Sequence, residues 1–422
     1  MELLIYIIMA YANINIMTQS KQLKRSLSLA TVTMYGLGNI LGAGIYVLIG
    51  KVAGFAGTST ILAFIIAMIT AGFTAFSYME LSGRYPVSAS VSIYLHKAFG
   101  KRWLSVVTGL AMVAGGIASA SALAQGFAGY VNSFINIPPA VASVGLLVVL
   151  GAITIKGINE SAKTAAILTA LEILGLVLII WFGKSVFTQI SPAKIFSIDP
   201  SIGIGGVIAG AFLAFYAFIG FEDMVNVAEE AKNPKRTMPL AILISLFVST
   251  ALYILVVIVA TTIVSPAELA ASNAPLSLVF KRSGASNGQL LSLIAMTATI
   301  NGVIVQIIMG SRIVYGLAKQ GWLNKKLAEV NNQFKTPIYA TLLVLAAMIL
   351  STLVLPLVSL AQITSLLVLG IFALINISLI IIKRRREPHG GFITVPSLVP
   401  YIGTLLCLGM ISYQIYSWIV GL

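Results

Sequence analysis

Apolar stretches too long for any soluble core dominate this chain. Ile61 to Ala75 and Leu168 to Trp181 are apolar throughout except for isolated small, polar or acidic residues. A segment crossing a bilayer must hydrogen-bond its own backbone, because hydrocarbon offers no partner, and about 20 apolar residues in a helix span the roughly 30 Å required. Membrane strands would instead alternate over about ten residues, and these runs do not. With 422 residues, 59% of them hydrophobic and 9% charged, and a mean hydropathy of +1.01, the chain carries more apolar surface than a water-soluble fold of this size buries. It is expected to be an all-α polytopic membrane protein.

Eleven helices are expected, at 28–54, 58–82, 103–133, 138–156, 164–184, 202–230, 239–264, 288–318, 337–355, 357–382 and 394–419. Charge sets their orientation. If the segment before the first helix is cytoplasmic, all but five of the 26 basic residues fall on the inner side, the exceptions being Lys51, Lys184, Lys194, Lys281 and Arg282. That is a strong positive-inside bias, and it places the N-terminus in the cytoplasm of a multi-pass protein of the cell membrane. The net charge of +14 then reports topology and contact with anionic lipid, with no nucleic-acid partner expected. Oligomeric state has no signature.

The first seventeen residues, MELLIYIIMAYANINIM, are apolar but short, lack a basic leader and precede no small-residue cleavage site, unlike a signal peptide. A working start near Met17 is expected in preference to a short interfacial segment. The single Cys407 allows no internal disulfide, and His96 and His389 lack metal-ligand spacing. No phosphate-binding loop, nucleophile elbow or zinc motif occurs. The chain is therefore not expected to be an enzyme or to hold a cofactor or metal; any driving force would be exchange or a gradient of H+ or Na+.

Two spans carry the informative irregularities. The first reads YGLGNILGAGIYVLIG, and its Gly42-Ala43-Gly44 step falls near mid-span. Glycine weakens a helix by about 1 kcal/mol per residue and permits unusual backbone geometry; close packing through Gly38 and Gly42 accounts for the pattern equally well. The sixth reads GAFLAFYAFIGFEDMVNVAEE, where mid-span Gly220 is followed at once by Glu222 and Asp223. Carboxylates are tolerated at that depth only against protein or water. The two spans run in opposite directions and lead two candidate five-helix halves of inverted topology. Interruptions at matching positions of inverted halves point to a carrier's central site, since unwinding frees amides for a carboxylate and carbonyls for an ammonium. An α-amino acid has both groups.

Several motifs in fixed order make the chain resemble the amino acid–polyamine–organocation (APC) superfamily of permeases. They are GNILGAGIYV in the first span, AFSYMELSGRYPVSAS closing the second, YLHKAFG before the third, AFYAFIGFEDMVNVAEEAKNPKRTMP through the sixth and GSRIVYGLAKQGWL ending the eighth, followed by Thr336-Pro337. The resemblance runs from about Leu27 to the end of the eighth span and more weakly beyond. It implies the LeuT-like inverted-repeat fold shared with sodium-coupled neurotransmitter transporters. The corresponding division is an N-terminal segment 1–26, repeats at 27–184 and 202–382, and a loop with a peripheral eleventh helix at 383–422. Members of this superfamily commonly have twelve helices, so an end after the eleventh is expected to leave the carboxyl terminus outside.

The resemblance also implies roles. Amides of Gly42, Ala43 and Gly44 would hold the substrate carboxylate, and carbonyls of Ile40, Tyr216, Ala217 and Ile219 would accept from its amine. Tyr216 occupies the place of the aromatic side chain that closes over the substrate, although an ordinary packing role among Phe212, Phe215 and Phe218 stands beside that reading. Many proton-linked or exchanging members have a lysine in the fifth span where this chain aligns Glu172. At 1.5 Å per residue from about position 164, Glu172 lies roughly 13 Å deep. It is expected to act as a protonatable or cation-holding coupling group, with Thr297, Thr299 and Asn301 completing the site, or else as a structural carboxyl. Glu80 with Arg84, and Glu229-Glu230 with the basic residues of KNPKRTMP, read as anchors at the inner ends of their spans.

The expected function is secondary active transport of an amino acid by alternating access. Small residues in GGIASASALAQGFAGY leave side-chain room, and a neutral substrate is expected first, with proton coupling or exchange. The alternatives are a cationic amino acid or polyamine, sodium coupling, or an amino acid sensor that does not transport. A channel would need a continuous polar stripe, and no span shows one.

Overall fold

The computed structural model describes residues 25–87, 90–156, 162–189, 191, 195–285, 288–385 and 391–420. The candidate start at Met17, His389 and Lys194 lie outside the described residues. Along the chain come α1 (Leu29–Leu41), α2 (Ala43–Ala56), α3 (Thr60–Arg84), α4 (Ser90–Phe99), α5 (Arg102–Val131), α6 (Pro139–Lys156), α7 (Ala162–Phe182) and α8 (Gly203–Phe215). They are followed by α9 (Pro234–Ile263), α10 (Pro266–Ala271), α11 (Pro275–Arg282), α12 (Gly288–Lys319), α13 (Ile338–Val354), α14 (Leu357–Arg384) and α15 (Leu398–Val420). Among the described residues the only β pairing is one parallel bridge, Leu27 to Ala231.

Among the described residues, eight helical stretches are long and apolar enough to cross a membrane, the first running from Leu29 to Arg84, and Ala166–Phe182 and Ile338–Val354 are shorter apolar helices. Local chemistry sets the boundaries. Ser28 caps α1 by accepting the Thr31 N–H at 3.3 Å, and Pro234 opens α9, where its missing N–H costs nothing. A reciprocal capping box of Ser265 and Glu268 starts α10.

The helices sort into an inner group and an outer one. α1 packs between α7 and α9, α8 packs on α2 and α3, α3 packs in turn on α9, and α5 runs along α12 and α14. Fully buried aromatics fill the contacts: Tyr78, Phe221 and Phe372 meet edge to face or tilted at 5.1–5.7 Å between centroids. Outward faces are apolar, with Val148, Val149, Phe247, Leu350 and Leu405 exposed, as lipid contact requires.

Two tethers close the ends. On one face Leu27 pairs with the strand-like backbone after Glu230, its N–H donating to the Glu230 carbonyl at 3.0 Å and its carbonyl accepting from the Lys232 N–H at 2.8 Å. On the other, Asp199 accepts from the Thr58 N–H (3.1 Å) and hydroxyl (2.9 Å), tying the α2–α3 turn to the segment before α8.

Candidate substrate site at two interlocked helix breaks

The sixth predicted span is not one helix. α8 stops at Phe215, a 3-10 turn covers Tyr216–Phe218, Ile219 is extended at ψ 142°, and a longer 3-10 stretch runs over Phe221–Glu230. Gly220 sits at φ 128°, a conformation a side chain resists. The first span breaks more sharply: α1 ends at Leu41, Gly42 takes φ −37° and ψ −168°, and α2 restarts at Ala43.

The breaks lie against each other. A Cβ on Gly220 would stand 2.4 Å from the Asn39 carbonyl oxygen and 3.1 Å from the Ile40 nitrogen. Across the same crossing, a Cβ on Gly44 would stand 2.8 Å from the Ala217 Cα. The glycines thus let two unwound backbones meet at contact distance. Close packing, the competing reading of the first span, is also present, for Gly38 faces Thr169 on α7 and Gly36 faces Met224 and Ser245.

Unwinding leaves backbone groups without helical partners, and buried tyrosines take several of them. The Tyr253 hydroxyl on α9 is shared between the Ile40 carbonyl at 2.5 Å and the Ala217 carbonyl at 3.0 Å. Tyr130 donates to the Tyr46 carbonyl, and Tyr46 to the Glu172 carbonyl, each at 2.6 Å. One residue therefore holds both breaks, and its neighbours tie the first to α5 and α7.

Beside the crossing is a cavity of about 60 Å³ lined by Gly38, Asn39, Ile40, Gly42, Gly44, Ser119, Leu123, Tyr216, Ile219, Gly220, Asp223, Asn301, Gly302, Val305 and Gln306. A water needs about 10–15 Å³ on this measure, so the space fits several non-hydrogen atoms. Five of the residues expected to bind substrate line it, Ile40, Gly42, Gly44, Tyr216 and Ile219, as do Asn301 and Asp223. Ala217 stands behind, against Gly44.

The donors and acceptors differ in detail from the expectation. The Gly42 N–H closes the last turn of α1 on the Gly38 carbonyl at 3.2 Å. The amides left by geometry are those opening α2, at Ala43 and Gly44, which as first-turn positions have no intrahelical acceptor. Asn39, with its Nδ2 buried and unpartnered, adds a side-chain donor. On the acceptor side, Ile40 and Ala217 already receive Tyr253, and Tyr216 receives the Ile219 N–H at 3.3 Å. A carbonyl keeps a second lone pair, so these positions retain accepting capacity. The Tyr216 hydroxyl lies 2.8 Å from Ser119 Oγ and 3.2 Å from the Ser119 carbonyl, linking the second break to α5.

Glu172 is fully buried on α7. Its Oε1 accepts from Asn301 Nδ2 at 3.4 Å, its Oε2 has no partner, and Asn301 lines the cavity. Thr297 and Thr299 do not join it. Their hydroxyls donate to the Leu293 and Met296 carbonyls of their own helix at 2.9 and 2.7 Å, the usual outlet for a threonine within a helix. Glu222 turns back on the break, its Oε2 accepting the Gly220 N–H at 2.8 Å.

Sequence reading passed over Asn39, Ser119, Tyr253 and Gln306. Each is a polar residue within an apolar span, and that signal was available. What it lacked was any means of telling which of many such residues point at one another.

A family model described as amino acid permease matches residues 27–419. The chain belongs to the amino acid permease family. The permease is 29% identical over 417 residues to the branched-chain amino acid permease BcaP of Bacillus subtilis (strain 168), covering 93% of this chain and 88% of that one. It is also 29% identical to the methylthioribose transporter of the same organism, covering 95% and 91%. Cationic amino acid transporter 4 of Homo sapiens is 28% identical over 88% of this chain and 61% of its own. These relatives are transporters or permeases, not enzymes, and the permease is a multi-pass membrane protein for amino acid transport.

The buried acid near the end of α3, Glu80, is an anchor. Glu80 Oε1 accepts from Arg84 Nε at 2.9 Å and Nη2 at 2.6 Å, while Oε2 receives Lys383 at 2.7 Å and the Val395 N–H at 2.8 Å. With both oxygens occupied, it pins the α14–α15 connection onto the end of α3.

Proposed function

We propose that this protein is a secondary carrier that binds the α-amino and α-carboxyl groups of an amino acid between the two helix breaks and moves it across the cell membrane by alternating access. The observation that carries the reading is the cavity at the crossing of the breaks, with the α2 amides and Asn39 Nδ2 as donors and the carbonyls of the second break as acceptors. The amides sit at the positive end of a half-helix, which favours a carboxylate. Apolar walls at Leu123, Ile219 and Val305 suit a neutral side chain of modest size.

Two inverted five-helix repeats underlie the cycle. Their packing supports this: α1 lies on α9 as α8 lies on α3, α5 lies on α14 as α12 lies on α7, and α6 flanks α5 as α13 flanks α12. Short helices occupy matching connections, α4 after α3 and α10 with α11 after α9. With α15 peripheral, this arrangement corresponds to eleven crossings, the Leu27 end in the cytoplasm by the positive-inside bias. Glu172, joined to the cavity through Asn301, is the coupling group, taking up a proton in step with the substrate or during exchange.

Reconstituted protein, offered a panel of labelled amino acids with pH and sodium varied on each side, tests the reading. Saturable uptake of one or more α-amino acids is expected, and it should require both the free amine and the free carboxylate. Saturable binding without flux would replace the carrier with a sensor, and unitary currents would replace it with a channel.

A further inference from the structure

Next to the first cavity lies a second of about 40 Å³, toward the Arg84 end of α3. The two share Ser119, Ile219, Asp223 and Gln306 in their walls, so they adjoin. Much of the second wall is apolar, from Val91, Met112, Val368, Ile371 and Phe372. The polar groups gathered in it are unusual in what they lack.

Glu222 and Asp223 are both buried there, and among the described residues neither forms an ion pair with a lysine, arginine or histidine. Tyr78, fully buried, presents a hydroxyl with no hydrogen-bond partner. Gln306 Oε1 is likewise buried and unpartnered, and Gly116 makes room for it, since a Cβ there would stand 2.7 Å from that oxygen. Of the carboxylate oxygens, Glu222 Oε2 is engaged by the Gly220 N–H. The chamber thus gathers two carboxyl groups and unpartnered oxygens, and among the described residues no lysine, arginine or histidine lines it. A buried carboxyl group that ionises needs a charged or hydrogen-bonding partner, and a positively charged donor entering this chamber would supply one.

We propose that this chamber is a side-chain subsite for the ω-ammonium of a diamino acid, with Asp223 and Glu222 supplying charge and Gln306 and Tyr78 supplying directional hydrogen bonds. The inference rests on the first cavity holding the α-amino and α-carboxyl groups. Asp223 faces both chambers and stands at their junction, so an aliphatic stem leaving the first cavity passes it. The apolar wall then covers the methylenes, and the three N–H bonds of an ammonium match the open acceptors. Short neutral substrates occupy the first chamber alone.

The chemistry separates two ligands of similar shape and length. L-Norleucine shares the four-carbon stem of L-lysine and matches L-ornithine atom for atom, with a methyl group in place of the ammonium, so a purely steric subsite would treat norleucine and ornithine alike. Competition by each against the uptake of a labelled small amino acid is measured in proteoliposomes at neutral pH. L-Lysine and L-ornithine are expected to inhibit at concentrations at least ten-fold below L-norleucine, and Glu222→Gln, Asp223→Asn and Tyr78→Phe to shrink that ratio toward one. Each ratio is taken within one variant, so a general loss of activity leaves it readable. Equal inhibition by ornithine, lysine and norleucine in the native protein overturns the subsite, as does a ratio unchanged in all three variants. Absence of uptake or binding of any α-amino acid overturns the first-cavity reading instead. Lysine preference retained in the variants but abolished by raised sodium would assign the chamber to an inorganic cation.

Discussion

Replacing Gly220 by alanine drives a methyl group into the backbone of the opposite break, and its cost follows from the geometry. The added Cβ would sit 2.4 Å from the Asn39 oxygen and 2.6 Å from its carbonyl carbon, about 1 Å inside ordinary contact. Neither atom is the end of a side chain that can swing away, so α1 and the 3-10 segment must separate. Overpacking of this kind costs about 1–3 kcal/mol, and a side chain at positive φ adds about 1–2 kcal/mol. Together they come to about 2–5 kcal/mol against the assembled site, which at about 1.4 kcal/mol per decade is a loss of at least about thirty-fold in the competent population. Gly44→Ala meets the Ala217 Cα at 2.8 Å but at ordinary φ, and Gly42→Ala comes no nearer than 3.3 Å to the Gly38 oxygen and 3.6 Å to the Asn39 oxygen. The expected order of damage is Gly220, then Gly44, then Gly42. Concentration dependence of uptake in proteoliposomes, alongside heat resistance of the purified protein, reads both the site and the fold. Native-like uptake by Gly220→Ala, or a Gly42 variant worse than the Gly220 one, would refute the interlocked-break geometry.

Three further outcomes follow from named contacts. Tyr253→Phe leaves two buried carbonyls without their shared donor and should destabilise the protein by about 1–3 kcal/mol while raising KM; unchanged heat resistance and KM would remove Tyr253 as the tie between the breaks. Glu172→Gln keeps the Asn301 contact but cannot release a proton, so uptake should lose its pH dependence; a profile identical to the native one removes the coupling role. Asp199 accepts the Ser201 hydroxyl, the Thr58 N–H and hydroxyl, and the Ser201 N–H, which hold its carboxyl below the usual range. A depressed folded value gives stability that is present above the unfolded value of about 3.9 and lost as pH falls below it. Heat resistance between pH 3 and 7 should therefore fall on the acid side less steeply in Asp199→Asn than in the native protein, and parallel curves would count against the clip.

Some features were legible because they depend on neighbours along the chain. Apolar run length identified membrane helices, and mid-span glycine beside acidic residues marked the second break, since these are properties of a segment meeting hydrocarbon. The distinction between Asn301 and Thr297 or Thr299 was not of this kind. All three are polar residues on one helix, and only the rotation of α12 against α7 decides that Asn301 reaches Glu172 while the threonines turn to their own carbonyls.

From the order of its residues alone, this protein is committed to a bundle of membrane helices with weak points near Gly42 and Gly220, because helix formation in lipid is enforced locally by backbone hydrogen bonding. That these weak points meet, that Tyr253 joins them, and that Tyr78 and Gln306 face Asp223 in a second chamber were decided only by folding. Such contacts join residues tens to hundreds of positions apart, and nothing in the spacing of one helix records how it is turned against another.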